Sequence, residues 1–285
     1  MARRGSRARR TTPLPNWDQY ATSWTALHGG IDPRRARRSV ERWLRFGYVI
    51  ARLCARIHIK PGAVTALGLM ACLLVPVFAG RSTGGTLLAA ALVAFAAVTD
   101  TVDGALAVLT GHATRLGYVY DSVVDRIGEA CWLLGMWRIG VHGWVVVLAG
   151  SLSWLHEYAR SRANAAGMTE IGAATLGERP TRVIVSVFGF ALAGLLGLGS
   201  PDLPAGVVAF AALAWILLGL IGFLQLFAGI HRALAGRAWQ PARRPESVRV
   251  DAEPMVTIPP VVTPASATIY TSQFAHGRHL AVDED

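Results

Sequence analysis

The sequence is poor in charge and in paired cysteines, and these shortages exclude several classes of protein. Only 16% of its 285 residues are charged whereas 53% are hydrophobic, a composition too apolar for an ordinary soluble domain. The three cysteines stand singly in apolar segments, without the CxxC or Cys/His spacing of a disulfide framework or zinc site. A membrane protein is the class that remains.

The N-terminus is rich in arginine but lacks two features that often accompany such runs. No apolar stretch follows MARRGSRARRTTPLP, so we expect neither a secretory nor a twin-arginine signal. No aromatic residues are interleaved with these arginines, so binding to nucleic acid is not expected. The formal net charge is +10, and half of the 28 Lys and Arg residues fall within the first sixty positions. The basic excess therefore belongs to one end of the chain.

The pattern predicts an all-α integral membrane protein with four regions. Residues 1–32 are predicted to be a basic, largely flexible arm. Residues 33–60 are predicted to be an amphipathic helix that lies on an anionic leaflet; the alternative is a solvated basic helix packed on a partner. Residues 61–235 are the predicted membrane domain, and residues 236–285, rich in Pro and charge, are predicted to be disordered.

Six apolar segments are each long enough to cross about 30 Å of hydrocarbon at about 1.5 Å per residue. They are predicted near residues 63–80, 84–108, 117–139, 143–165, 181–199 and 204–229. Arginines concentrate in the loops on the side of the two termini. The positive-inside rule therefore places both termini in the cytoplasm. The sequence predicts a multi-pass protein of the plasma membrane.

Four aspartates stand among apolar residues in TDTVDGALAVLTGHATRLGYVYDSVVDR, residues 99–126. Asp100 and Asp103 lie three apart in the second span and Asp121 and Asp125 lie four apart in the third, so each pair shares a helix face. The short loop between the spans predicts antiparallel neighbouring helices and convergence of all four carboxylates. An ionised Asp within a membrane costs about 3 kcal/mol, so these groups require a positive partner.

Divalent cations that prefer oxygen ligands, such as Mg²⁺, Mn²⁺ or Ca²⁺, suit such a group of carboxylates. Two bridged ions would suit in-line displacement at phosphorus. Gly104 and Gly117 carry no side chain on the faces expected to meet, which permits close packing or backbone contact with a ligand. The alternatives are accidental interfacial aspartates, a cation site without enzymatic activity, and a cation-coupled transporter. A transporter is expected to show a repeat and carboxylates near the midplane, and the sequence shows neither.

These residues resemble the signature of the CDP-alcohol phosphatidyltransferases, which is DxxDGxxAR followed after eight residues by GxxxDxxxD. The matching stretches are Asp100-Thr-Val-Asp103-Gly104-Ala-Leu-Ala107 and Gly117-Tyr-Val-Tyr-Asp121-Ser-Val-Val-Asp125. The departure is Val108, where the family usually has Arg. The likeness covers roughly residues 35 to 235 and includes Lys60-Pro61, Thr65, Gly68, Thr114 and Arg126.

The resemblance implies phospholipid synthesis, in which a phosphatidyl group passes from CDP-diacylglycerol to an alcohol and CMP is released. It assigns two Mg²⁺ or Mn²⁺ ions to Asp100, Asp103 and Asp121, with Asp125 as a shared metal ligand or as the catalytic base. It assigns contacts with the nucleotide to Asp100, Asp103, Gly104, Ala107, Gly117 and Asp121. It also implies a homodimer. A silent relative that binds CDP-lipid without turnover, because of Val108, is the remaining alternative within the family.

A small, phosphorylated acceptor is predicted from four arginines that gather at the same membrane edge. Arg160, Arg162, Arg179 and Arg182 lie in HEYARSRANAAG and GERPTR, a pattern similar to that of the phosphatidylinositol-phosphate synthases of the family. Guanidinium groups bind phosphate bidentately, which favours a phosphorylated acceptor. The resemblance implies inositol phosphate as that acceptor, with glycerol phosphate an alternative. The simpler explanation is that these arginines obey the positive-inside rule or contact lipid headgroups.

Two polar residues of the later spans have structural explanations. His156-Glu157 invites comparison with zinc peptidases, but HEYAR lacks the second His of HExxH. We therefore expect His156 to be an interhelical hydrogen-bond partner, and Gln225 to serve in packing or at the interface.

Overall fold

The computed structural model describes residues 14–27, 32–168 and 175–236. Within these ranges the regular elements are all helical. They are α1 (Trp17–Leu27), α2 (Arg38–Arg56), α3 (Pro61–Phe78), α4 (Thr83–Thr110), α5 (Arg115–Ile139), α6 (Gly143–Ala165), α7 (Arg179–Leu196) and α8 (Leu203–Leu234), with a short 3₁₀ turn, Pro33–Arg35, before α2. The first thirteen residues of the predicted arm, and nearly all of the predicted tail, lie outside the described residues.

The six predicted apolar segments correspond closely to α3 through α8. By length and composition, α3, α4, α7 and α8 are able to cross a membrane. Helices α5 and α6 are also long, with 25 and 23 residues, but they carry several charged side chains. The protein is therefore an all-helical, multi-pass membrane protein.

The turn between α4 and α5 is built by local backbone signals. Gly111 ends α4 in the left-handed region, with φ of 67°, where a residue without Cβ is favoured. Thr114 caps α5, and its hydroxyl oxygen accepts a hydrogen bond of 3.0 Å from the backbone N–H of Gly117. A short turn thus separates the helix that carries Asp100 and Asp103 from the helix that carries Asp121 and Asp125.

The expected direct packing of α4 against α5 is not what the structure shows. Helix α3 packs extensively against both of them, α7 packs against α4, and α8 packs against α6 and α7. Helices α4 and α5 share few close contacts within the described residues. Their facing surfaces carry carboxylates, which cannot interdigitate as apolar side chains do. The two helices therefore border a pocket instead of forming a tight pair.

The main core joins all six helices from α3 to α8 through buried side chains. The largest are Trp132, Met136, Phe190 and Trp215. The indole N–H of Trp215 donates a 2.8 Å hydrogen bond to Ser153 Oγ, so this buried polar group is satisfied. The core gives the helices around the aspartates a rigid scaffold.

A second cluster joins α1 and α2 to α3 and α4. It corrects the prediction of a largely flexible arm over residues 1–32 for the part that forms α1, while residues 1–13 and 28–31 lie outside the described residues. Residues 17–27 form helix α1, and Tyr20 is almost fully buried. The ring of Tyr20 lies 5.1 Å from that of Tyr48 and 5.6 Å from that of Trp17, measured between centroids. Burial raises the pKa of Tyr20 to about 12. This aromatic packing orders α1 although the neighbouring parts of the sequence are polar.

Helix α2 presents two different apolar surfaces. Gly47, Tyr48 and Ala51 are buried on the protein side. The exposed apolar side chains on the remaining surface are Val40, Trp43, Phe46, Val49, Leu53 and Ile57. The apolar residues of α2 are therefore divided between contact with the protein and exposure.

Candidate active site

Three of the four predicted carboxylates converge. Asp100 and Asp103 of α4 and Asp121 of α5 each place one carboxylate oxygen within 4.8 Å of the others. Asp103 is buried, and the other two are partly buried. Carboxylate oxygens at this separation fit a hard divalent cation, which prefers oxygen ligands. The structure thus brings together the predicted metal ligands of two separate helices.

Helix α3 holds Asp103 in place. The hydroxyl of Thr65 donates a 2.6 Å hydrogen bond to Asp103 Oδ2. One turn further along α3, Gly68 faces α4 so closely that an added Cβ would lie 2.5 Å from Thr99 Oγ1. The glycine therefore permits the approach that allows Thr65 to reach the carboxylate.

The fourth aspartate has a different partner. Asp125 Oδ1 lies 2.8 Å from Nη2 of Arg179, and Nη1 of the same guanidinium forms an ion pair with Asp100. Arg179 begins α7, so it joins the ends of α4 and α5 from a third helix. From the sequence, Arg179 was predicted to lie at the same membrane edge as the aspartates and to bind the phosphate of the acceptor substrate. The structure places it among the carboxylates.

A pocket lies at this junction of α3, α4, α5 and α7. Besides the four aspartates its lining includes Thr65, Gly68, Cys72, Thr99, Val124 and Arg179. Gly104 stands on the open side, since an added Cβ would meet nothing within 4 Å, and Gly117 would meet only Thr114 Oγ1 at 3.1 Å. Close helix packing therefore does not explain Gly104, which leaves room for a ligand. Ala107, the other small residue of the motif, is partly buried.

Next to Asp125 lies a buried network of two arginines and two glutamates. Nη1 of Arg182 donates to both carboxylate oxygens of Glu129, at 2.8 and 3.1 Å. Its Nη2 lies 3.5 Å from Glu157 Oε1. Arg126 lies 3.2 Å from Glu129 and 3.5 Å from Glu157. Because formal charges balance, four ionised groups are tolerated in a largely buried place.

The other predicted acceptor arginines are distributed around this network. Arg182 faces Glu129 and Glu157, with its side chain only 3% exposed, and it does not line the pocket. Arg160 is partly exposed and forms a 2.7 Å ion pair with Glu178. Arg162 is exposed near the end of α6. Of the four arginines, the structure brings only Arg179 into contact with the aspartates.

The segment before α7 is anchored at several points. His156 Nε2 lies 3.0 Å from Thr175 Oγ1, so the predicted hydrogen bond of His156 is found, although its partner lies in a loop. Glu178 Oε1 accepts a 2.9 Å bond from the backbone N–H of Thr175. Gln225 Oε1 accepts a 3.1 Å bond from the N–H of Leu176. These bonds fix the backbone that leads into Arg179.

Sequence reasoning missed Glu129, although a signal was present. Glu129 follows Asp125 by four residues and Asp121 by eight, so it continues the acidic face of α5. Val108, where the family has Arg, packs at the edge of the cluster formed by α1, α2 and α4. Its apolar side chain therefore suits the local surroundings.

Comparison with known proteins agrees with this arrangement. The family model for CDP-alcohol phosphatidyltransferases matches residues 59–225. The archaetidylinositol phosphate synthase of Pyrococcus horikoshii is 32% identical over 170 residues, which cover 59% of this chain and 84% of the relative. The phosphatidylinositol phosphate synthase of Corynebacterium glutamicum is also 32% identical over 170 residues, covering 53% of this chain and 70% of the relative.

Solved structures show the same helical arrangement. The phosphatidylinositol phosphate synthase of Mycobacterium tuberculosis, with CDP-DAG bound, is 25% identical and matches with a TM-score of 0.54 over 70% of this chain and 99% of that chain. Its structure in complex with manganese and citrate is 24% identical and matches with a TM-score of 0.56, over 68% of this chain and 93% of that one. Because the family model spans more than half of the sequence, the resemblance of the aspartate motif is confirmed, and this protein belongs to the CDP-alcohol phosphatidyltransferase family of transferases.

Proposed function

We propose that the protein transfers a phosphatidyl group from CDP-diacylglycerol to inositol phosphate and releases CMP in phospholipid synthesis. The observation that carries the proposal is the convergence of Asp100, Asp103 and Asp121 in a pocket that Asp125 and Arg179 complete. The names of the relatives support inositol phosphate as the acceptor, and the CDP-DAG bound to a structural relative supports the donor. Glycerol phosphate remains the alternative acceptor.

The carboxylates suit a divalent cation, and we propose two ions, Mg²⁺ or Mn²⁺. Asp100, Asp103 and Asp121 would hold them, with Asp125 as a further ligand. Bound ions would neutralise the diphosphate and polarise the attacked phosphorus. Thr65 orients one of these ligands, because its hydroxyl donates to Asp103. The open space at Gly104 would admit the nucleotide, with Ala107 one turn further along α4 and Gly117 at the start of α5 as further proposed contacts.

Asp125 is the proposed base. In the reaction the acceptor oxygen bonds to the lipid-side phosphorus, the bond from that phosphorus to the bridging oxygen breaks, and CMP leaves with the electron pair. The hydroxyl proton of the acceptor passes to Asp125. Arg179, 2.8 Å from Asp125, holds that carboxylate beside the pocket. A general base must lie close to the acceptor hydroxyl and keep a fixed orientation, and the ion pair with Arg179 holds the Asp125 carboxylate in one position.

The acceptor phosphate is proposed to bind at the arginine side of the pocket. Arg179 already lines the pocket, so it would contact the phosphate directly. Arg160 and Arg162 lie further along α6 and would attract the anionic acceptor toward the site. Arg182 would contribute by supporting Glu129 and Glu157, because its own guanidinium is buried between them.

The membrane arrangement that suits this reaction has six spans with the site on the cytoplasmic side. Helices α5 and α6 reach roughly 35 Å at about 1.5 Å per residue, enough to cross the hydrocarbon. The arginine-rich loops favour the cytoplasm, from which inositol phosphate arrives, while the lipid tails of the donor remain in the bilayer. The exposed apolar side chains of α2 and its arginines suit an anionic membrane surface. We propose a homodimer in the plasma membrane.

The test is CMP release by the purified full-length protein in nanodiscs. It would be supplied with CDP-diacylglycerol, Mg²⁺ or Mn²⁺, and a panel of acceptors. We expect release to require both the metal and inositol phosphate. Release with glycerol phosphate but not with inositol phosphate would support the alternative acceptor. No release with any acceptor would instead indicate the silent relative. Cation uptake into proteoliposomes that contain the protein, without CMP release, would indicate a transporter.

A further inference from the structure

Helix α2 contacts α4 between the metal-ligating aspartates. The indole N–H of Trp43 donates a 2.9 Å hydrogen bond to Thr101 Oγ1. Thr101 directly follows Asp100 and precedes Asp103 by two residues. The same hydroxyl donates a 3.1 Å bond to the backbone carbonyl of Ala97. The Thr101 hydroxyl is thus held from both sides, by its own helix and by α2.

The backbone of α2 also comes close at this point. Gly47 lies four residues after Trp43, on the same face of α2. A Cβ added to Gly47 would lie 2.6 Å from Cγ2 of Thr101, so a larger residue would push α2 away from α4. On the other side of α4, Gly68 of α3 approaches Thr99 in the same way. The turn that carries the aspartates is therefore held between two helices.

Burial alone does not account for Trp43. Its side chain is 43% exposed and lies beside Phe46, with ring centroids 5.9 Å apart. Among the described residues, the fully buried tryptophans are Trp132 and Trp215, which belong to the main core. Trp43 directs its one hydrogen-bond donor inward to Thr101 while its ring lies on the exposed apolar surface of α2. Its most specific contact is therefore the one with the aspartate-bearing turn.

We infer that Trp43 and Gly47 are positioning residues for the metal site, which act through Thr101 on the orientation of Asp100 and Asp103. The inference rests on the proposed metal binding by these aspartates. Ligand geometry matters because a metal site depends on side chains held close to their productive orientation. Helix α2, which precedes the aspartate motif in the sequence, would then help to position the metal ligands.

The test compares Mn²⁺ affinity, measured by electron paramagnetic resonance, in full-length variants in nanodiscs without substrate. Trp43→Phe removes the donor and keeps a ring, and Thr101→Val removes the acceptor at nearly constant shape. Each is expected to weaken Mn²⁺ binding about three- to tenfold, the range for one net hydrogen bond. The double variant should be no weaker than either single variant, because both remove the same bond. Gly47→Ala should also weaken binding.

Two variants separate positioning from general damage. Thr101→Ser restores the hydroxyl and should retain wild-type affinity. Trp154→Phe replaces a tryptophan of α6 that is 54% exposed, comparable to Trp43, and should leave affinity unchanged. Wild-type affinity in both Trp43→Phe and Thr101→Val, or additive losses in the double variant, would overturn the inference. Wild-type protein that binds Mn²⁺ but releases no CMP would refute the proposed reaction while leaving this comparison decisive.

Discussion

The guanidinium of Arg179 lies between two aspartates of different helices, with ion pairs to Asp100 of α4 and to Asp125 of α5. Arg179 is far from both aspartates in the sequence, because α7 begins more than fifty residues after Asp125. The contact makes the first residue of α7 part of the aspartate site. It also brings the arginine that is proposed to bind the acceptor phosphate next to the proposed base.

Replacing Arg179 should affect the acceptor more than the donor lipid. Arg179→Ala leaves two carboxylates without their shared cation, and loss of such a buried charge pair costs about 2–5 kcal/mol. We expect kcat/KM for inositol phosphate to fall about 100-fold. Arg179→Lys should recover only part, since an ammonium cannot pair bidentately. Arg162→Ala, at the exposed end of α6, is the control: Arg162 would act on the acceptor only by screened long-range attraction, so this variant should change kcat/KM less than about threefold. Equal effects of both alanine variants would contradict the assignment.

Arg182 should contribute mainly to stability. Arg182→Ala removes the Nη1 that donates to both carboxylate oxygens of Glu129, and it leaves Arg126 facing both Glu129 and Glu157. Breaking a buried pair in this way costs about 3–5 kcal/mol. The melting temperature in detergent should therefore fall clearly. The double variant Arg182→Gln with Glu129→Gln should melt above Arg182→Ala because one positive and one negative charge, Arg126 and Glu157, then remain and balance. Arg160→Ala breaks a partly exposed pair with Glu178 and should cost about 1 kcal/mol or less. An unchanged melting temperature in Arg182→Ala would exclude the structural role.

Gly222 of α8 should be needed for the position of Arg179. A Cβ added to Gly222 would lie 2.5 Å from Cα of Gly177 and 3.2 Å from the carbonyl carbon of Leu176. These are backbone atoms of the segment that leads into α7, so it would have to move. We expect Gly222→Ala to raise the KM for inositol phosphate at least fivefold, an effect of about 1 kcal/mol.

The matched control for that substitution is on the same helix. Gly229 lies two turns after Gly222, and a Cβ added there would meet nothing within 4 Å. Gly229→Ala should leave KM unchanged and slightly stabilise α8, because alanine favours helix. A Gly222→Ala enzyme with the KM of the Gly229→Ala enzyme would show that the contact does not position Arg179.

Thr65 should tune the metal affinity of Asp103. Thr65→Val removes the 2.6 Å hydrogen bond to Asp103 Oδ2 while keeping the shape of the side chain. The bond is made to a group that ionises, and such bonds contribute about 1.5–3 kcal/mol. Mn²⁺ affinity is therefore expected to fall at least tenfold. Thr65→Ser should stay within about twofold of wild type. Tight binding in Thr65→Val would show that Asp103 needs no support from α3.

Much of the fold could be predicted from sequence because its signals are local. The apolar segments predicted α3 through α8, and Gly111 and Thr114 mark the turn between α4 and α5. The aspartates converge as their spacing predicted, except that Asp125 pairs with Arg179. Local spacing determines which side chains share a helix face, so this feature could be predicted without knowing where distant segments lie.

The unpredicted features depend on contacts between distant parts of the chain. The Arg182–Glu129 pair joins residues 53 positions apart, and the Trp43–Thr101 bond joins residues 58 apart. Helix α1 is ordered by the burial of Tyr20 against Tyr48 of α2, which its own polar sequence does not indicate. Helical periodicity identifies a face but not its partner. Long-range side-chain pairing had to come from the structure.

The central claim is that carboxylates of α4 and α5 act together on one metal-dependent transfer. The most direct measurement follows CMP release and Mn²⁺ binding in parallel for wild type, Asp103→Asn, Asp121→Asn and Asp125→Asn. The account predicts that Asp103→Asn and Asp121→Asn lose both, whereas Asp125→Asn loses turnover by at least about 100-fold but retains most of its metal affinity. Full CMP release by either Asp103→Asn or Asp121→Asn would contradict it.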